Sequence, residues 1–158
     1  MTNVIFEGIE PAVLREVLAT GIDQGGNPIE PFIDEAGGWP LRCCLTDSLP
    51  GDEVAIIAWS PFGWDGPYRE TGPIVVHTKG CSDTWQTAAL PAEFDGRRMT
   101  LRPYGDEHRI LYDLVTPVAQ GDGLNAAVQS LFAHPEVAEV YGRNVQGGCF
   151  AFVARRAS

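Results

Sequence analysis

DGLNAAVQSLFAHPEVAEVYGRNVQGGCFAFVAR, residues 122–155, carries the pattern that decides the fold class. Leu124, Ala127, Val128, Leu131 and Phe132 fall at i, i+3, i+4, i+7 and i+8, the apolar stripe of an amphipathic helix. Asp122 is placed to cap its start, and Pro135 lies beyond its end. Gly147-Gly148 then separates two runs of strand character, 137–146 and 149–155, as the two-residue turn of a hairpin. In that register Asn144, Gln146, Cys149 and Ala151 share one face, and Tyr141, Arg143, Phe150 and Phe152 share the other.

Working outward, residues 4–9 read as an opening strand. Glu10-Pro11 starts a helix whose apolar stripe is Val13, Leu14, Val17 and Leu18, and Gly21 ends it. Residues 41–45 read as a short strand. Residues 53–59 are continuously apolar, the pattern of a central strand covered on both faces. Residues 74–78 form a β-branched strand, and 98–104 with 109–115 read as an antiparallel pair joined at Gly105-Asp106-Glu107. Long irregular segments fall near 21–40 and 61–72. These elements predict one α+β domain over 1–158, with a mostly antiparallel sheet and two main helices packed on it.

The chain has 158 residues, enough to bury about 70% of its unfolded surface, and is 44% apolar and 20% charged, as folded domains are. Its formal charge is -10, and its cations are almost all arginine, Lys79 being the single lysine. No basic face exists to displace phosphate counterions, so nucleic acid is not an expected partner. No apolar run nears the ~20 residues of a membrane span, and the first residues are not a secretory leader, so a cytoplasmic location is expected and no membrane partner. Cysteines in that compartment are thiols, ligands or reactive groups. Cys43 and Cys44 are adjacent, and a bond between them would close a strained ring, so no disulfide is expected. Arg42, Arg69, Arg102, Arg109 and Arg143 lie in or beside predicted strands and have the planar fork that reads carboxylates and phosphates.

Chemistry-bearing residues gather around the strand 74–78. Cys81 precedes Ser82-Asp83-Thr84, a run of cap residues, so it falls near the start of a short helix whose amides would favour a thiolate nucleophile. His77, four residues earlier, is the candidate base, and Glu70 a candidate acid or base. Packing is the plainer role for Cys81. Cys44, His77, Cys81 and Cys149 together have the residue types of a zinc site, but no Cys-x-x-Cys knuckle is present, so no metal ligand and no cofactor is assigned. His108 and His134 read as structural.

Gly38-Trp39-Pro40-Leu41-Arg42-Cys43-Cys44-Leu45, Pro67-Tyr68-Arg69-Glu70-Thr71-Gly72-Pro73-Ile74, Arg102-Pro103-Tyr104 and Asn144-Val145-Gln146-Gly147-Gly148-Cys149-Phe150 together resemble a bacterial domain-of-unknown-function family, number twelve-hundred-and-three. The resemblance runs from Gly38 onward. It departs at Leu41, where the family carries cysteine, and at Arg143, where it carries histidine. The matched polar residues Arg42, Tyr68, Arg69, Asn144 and Cys149 imply a shared site and no particular reaction. The reading that follows is a pocket for a small anionic metabolite built from these five, with enzymatic activity left open. Two alternatives stand beside it: a non-catalytic interaction module exposing Trp39 and Trp64 on the irregular segments, and a zinc-binding protein.

Overall fold

The computed structural model describes residues 2–79, 81 and 84–158. β1 (Val4–Glu7) leads into α1 (Pro11–Thr20), which opens on a proline that needs no amide partner there. It closes on Gly21 at φ 71°, a left-handed conformation that glycine adopts without a Cβ penalty. β2 (Phe32–Asp34), β3 (Asp52–Trp59) and β4 (Gly72–His77) form one antiparallel sheet with β3 in the middle. β5 (Gln86–Thr87), β6 (Met99–Tyr104), β7 (Thr116–Val118), β8 (Glu139–Asn144) and β9 (Phe150–Arg156) join β1 in a second antiparallel sheet of order β5-β1-β9-β8-β6-β7. α2 (Ala92–Asp95) and α3 (Leu124–Phe132) complete the elements. The α+β class and the antiparallel pairing are as expected.

The six-stranded sheet is the middle layer. One of its faces packs Phe6, Met99, Leu101, Val140 and Phe152 against Phe94 of α2 and Leu124, Val128 and Phe132 of α3. The other packs Tyr104, Tyr141, Phe150 and Val153 against Val54, Ile57, Ile74 and Val76 of the three-stranded sheet, with Leu14 of α1 closing one end. Each fully buried large apolar side chain stabilises the fold by about 1.5–3 kcal/mol, so both faces carry substantial driving force and the two expected helices are divided between them.

Several local expectations are corrected. A bulge between Gly142 and Arg143 shifts the β8–β9 register, so Phe150 faces the second core while Phe152 faces the first, and the simple alternation fails. Residues 109–115 make only one bridge, Ile110 with Tyr104, before a 3-10 turn at Tyr112–Leu114; β7 supplies the antiparallel partner of β6 instead. Residues 41–45 are a turn, with Leu45 at φ 56°. β3 is central as expected, but Ile56 stands 49% exposed, so one face is only partly covered. α3 starts from Gly123 without a side-chain cap; Asp95 accepts from Asn125 N in place of Asp122. The cap run expected after Cys81 includes Ser82 and Asp83, which lie outside the described residues.

Candidate metal centre

The site forms where the end of β4 meets the 42–44 turn. Ile74, Val75 and Val76 are buried, which holds β4 rigidly and aims His77 from its last position. The turn is tied on three sides. Arg42 N donates to Val75 O at 3.0 Å, and Ile9 N donates to Arg42 O at 2.9 Å. The buried Arg42 side chain donates from Nε to Phe150 O at 2.7 Å and from Nη1 to Pro40 O. The approach of β1 to this turn needs a glycine: a Cβ on Gly8 would stand 2.1 Å from Arg42 O. Chain reversal at 42–44 lets two adjacent cysteines turn the same way, which an extended segment cannot do.

Cys43, Cys44, His77 and Cys81 thereby place one sulfur or nitrogen each within 4.8 Å of every other. His77 Nδ1 lies 3.7 Å from Cys43 Sγ and 3.8 Å from Cys44 Sγ. A tetrahedral zinc with sulfur at about 2.3 Å and nitrogen at about 2.0 Å has edges of about 3.5–3.8 Å, and the two separations from His77 fall close to these, with all others inside 4.8 Å. Each of Cys43, Cys44 and His77 also has an outer partner. His77 Nε2 lies 2.9 Å from Asp52 Oδ2, the backbone N–H of His77 donates to Cys43 Sγ at 3.3 Å, and Thr46 Oγ1 lies 3.1 Å from Cys44 Sγ. Among the described residues no disulfide joins the cysteines.

Crowding sets the electrostatics. Hydrogen bonds from Cys43 and Cys81 pull the Cys44 thiol well below the usual range, against the opposing effect of burial. Cys43, bonded to Cys44 and Cys81 and itself buried, is pushed up. The Cys43–Cys44 pair thus favours one negative charge, and a bound cation would support further thiolates. The His77 imidazole, with Leu49 N–H, holds the Asp52 carboxylate below its ordinary value. A cavity of about 220 Å³, walled by Leu14, Arg15, Leu18 and Lys79, reaches Cys43, His77 and Cys81.

Three of the four zinc-type residues named from sequence, Cys44, His77 and Cys81, come together. Cys149 does not join them. It stands in another cleft, and Cys43 takes the fourth place. Of the catalytic candidates, His77 and Cys81 meet here, while Glu70 lies in the other cleft and pairs with Arg102 at 2.6 Å and Arg143 at 3.2 Å.

The five-residue metabolite set is dispersed. Arg42 spends its donors on backbone carbonyls. Arg69 pairs with Asp65 at 2.9 Å near the surface, and Tyr68 packs against the second core. Asn144 holds the β8–β9 turn through its backbone, accepting from Gly148 N and donating to Cys149 O. The cleft lined by Cys149 is not lined by the other four. Trp64 is turned inward, stacked on His108 with centroids 4.5 Å apart and bonded to Glu139; Trp39 remains 39% exposed. No described helix is long and apolar enough to cross a membrane.

Neither curated proteins nor solved structures give a significant match. A family model described as a protein of unknown function, DUF1203, matches residues 38–156, a span that includes Cys43, Cys44, His77 and Cys81. The chain therefore belongs to the DUF1203 family of proteins of unknown function.

Proposed function

We propose that this chain is a metal-binding protein that holds one zinc ion through Cys43, Cys44, His77 and Cys81. The observation that carries the reading is the convergence of four ligand atoms within 4.8 Å, with the outward nitrogen of His77 already engaged by Asp52. Carboxylate–histidine–metal relays of this kind orient the ring and raise its basicity. Three soft sulfurs and one imidazole select zinc over hard cations such as magnesium or calcium. Four protein ligands fill the tetrahedron, so the ion's role is to clamp the β4 end to the 42–44 turn. Ion binding then contributes directly to folding free energy, because the ligand set does not exist in the unfolded chain.

Elemental analysis of untagged protein purified without chelator tests this. One zinc per chain is expected, falling to near zero in Cys44→Ser. A wild-type protein that takes up no zinc even after incubation with excess ion, while folded by circular dichroism, contradicts it.

A further inference from the structure

Away from the thiols, a buried donor without an acceptor stands on Arg143. This β8 residue is 7% exposed. Its Nη1 donates to Gly148 O at 2.9 Å and its Nη2 to Glu70 Oε1 at 3.2 Å, yet its Nε–H is buried with no partner. A buried donor left unmade costs about 1–3 kcal/mol, so the Arg143 Nε–H points to an acceptor.

Charge points the same way. Arg102 and Arg143 share one oxygen of Glu70, which leaves an excess positive charge at this spot in a chain whose formal charge is -10. Arg143, Glu70, Thr71, Gly148, Cys149 and Phe150 contribute to the wall of a cleft of about 180 Å³, roughly the volume share of six waters. That room suits a ligand of a few heavy atoms. Nε and Nη2 form the side-on fork with which arginine grips a carboxylate or phosphate bidentately. Here Glu70 occupies Nη2, while the buried Nε has no partner.

We propose that this cleft binds a small oxyanion, a carboxylate or a phosphate, with Arg143 as its recognition residue and Glu70 as an internal competitor for the guanidinium fork. Glu70 is suited to give way, since its side chain is 47% exposed and keeps Arg102 as a partner when it leaves Arg143. The site is separate from the thiol cluster, and the proposal does not depend on the metal.

The test follows the Arg143 Nε–Hε resonance of 15N-labelled full-length protein, assigned as the peak missing from Arg143→Lys. Sodium acetate and sodium phosphate are titrated separately at constant ionic strength, with sodium chloride as control. At least one oxyanion is expected to give a saturable shift with a dissociation constant of about 1 mM or tighter, and the one that does identifies the ligand chemistry. Glu70→Gln removes the competing charge and is expected to tighten binding about threefold or more, whereas Arg143→Lys, followed through the backbone amides of Gly148 and Cys149, loses the fork and weakens it about tenfold. The absence of a saturable shift with both oxyanions overturns the proposal and assigns the buried Nε–H to bound water. Unchanged or weaker binding in Glu70→Gln also overturns it, and that arm decides even where Arg143→Lys fails to fold.

Discussion

His77 Nε2 sits 2.9 Å from Asp52 Oδ2 while its other ring nitrogen faces the Cys43 and Cys44 sulfurs at 3.7 and 3.8 Å. The carboxylate fixes the tautomer, so the lone pair of Nδ1 points at the thiols. Asp52→Asn keeps the shape, including the acceptor for Leu49 N, but removes the charge. Its zinc affinity, measured by competition with a chromophoric chelator, is expected to fall by about 10–100-fold, with the far-UV spectrum unchanged. Wild-type affinity in this variant would remove Asp52 from the site.

The two cysteine sets make different demands. Cys149→Ser is expected to retain one zinc per chain, because Cys149 lies in the Glu70–Arg143 cleft. Cys43→Ser leaves three protein ligands and is expected to weaken binding at least about tenfold. Zinc loss from Cys149→Ser with retention in Cys43→Ser would restore the set read from sequence.

The parts of this architecture legible in the sequence are those with a strong local period. The α3 stripe and the β-branched β4 appear where residue patterns place them, and β8 and β9 do form a hairpin, but its turn spans residues 145–149 instead of Gly147-Gly148 alone. The bulge in β9 is not legible, since one extra residue, Ala151, against the Gly142–Arg143 step of β8 leaves no trace in composition, and it splits Phe150 from Phe152. Three of the four clustered residues, Cys44, His77 and Cys81, stand out in the sequence by type. Cys43 does not, because an extended 41–45 segment would turn adjacent cysteines to opposite faces, whereas the turn brings both sulfurs to His77. The backbone that decides this is set by contacts distant in sequence, Arg42 N to Val75 O and Ile9 N to Arg42 O, which no local window contains.

Gly8 tests that tertiary control. A Cβ there meets the Arg42 carbonyl, which is backbone and already accepts from Ile9 N. Gly8→Ala is expected to lower stability by about 2–3 kcal/mol, read as a lower urea midpoint, and to weaken zinc binding because the turn is displaced. A midpoint equal to wild type would show that β1 does not press on the turn.

Asp23 anchors the irregular segment before β2. Burial opposes its ionisation, but the backbone amides of Ala58, Asn27 and Gly25 and the Asn27 side chain outweigh it and hold the carboxyl below its ordinary range. Its folded pKa lies below the unfolded one, so its stabilisation is present above about pH 4 and is lost as pH falls through the folded value. Asp23→Ala leaves those amides unpaired and is expected to cost about 2 kcal/mol at pH 7. The gap to wild type in thermal or urea unfolding should narrow on acidification below pH 4; a gap independent of pH would contradict the assignment.

The most direct measurement of the metal centre is the absorption spectrum of the apo-protein titrated with cobalt(II), which takes zinc's place and reports its own ligands. The Cys43, Cys44, His77, Cys81 set predicts sulfur-to-cobalt charge transfer in the near ultraviolet and intense visible bands of a tetrahedral thiolate site, saturating at one equivalent and bleached by zinc. A pale spectrum without sulfur-to-metal bands, or one that does not saturate, would contradict it.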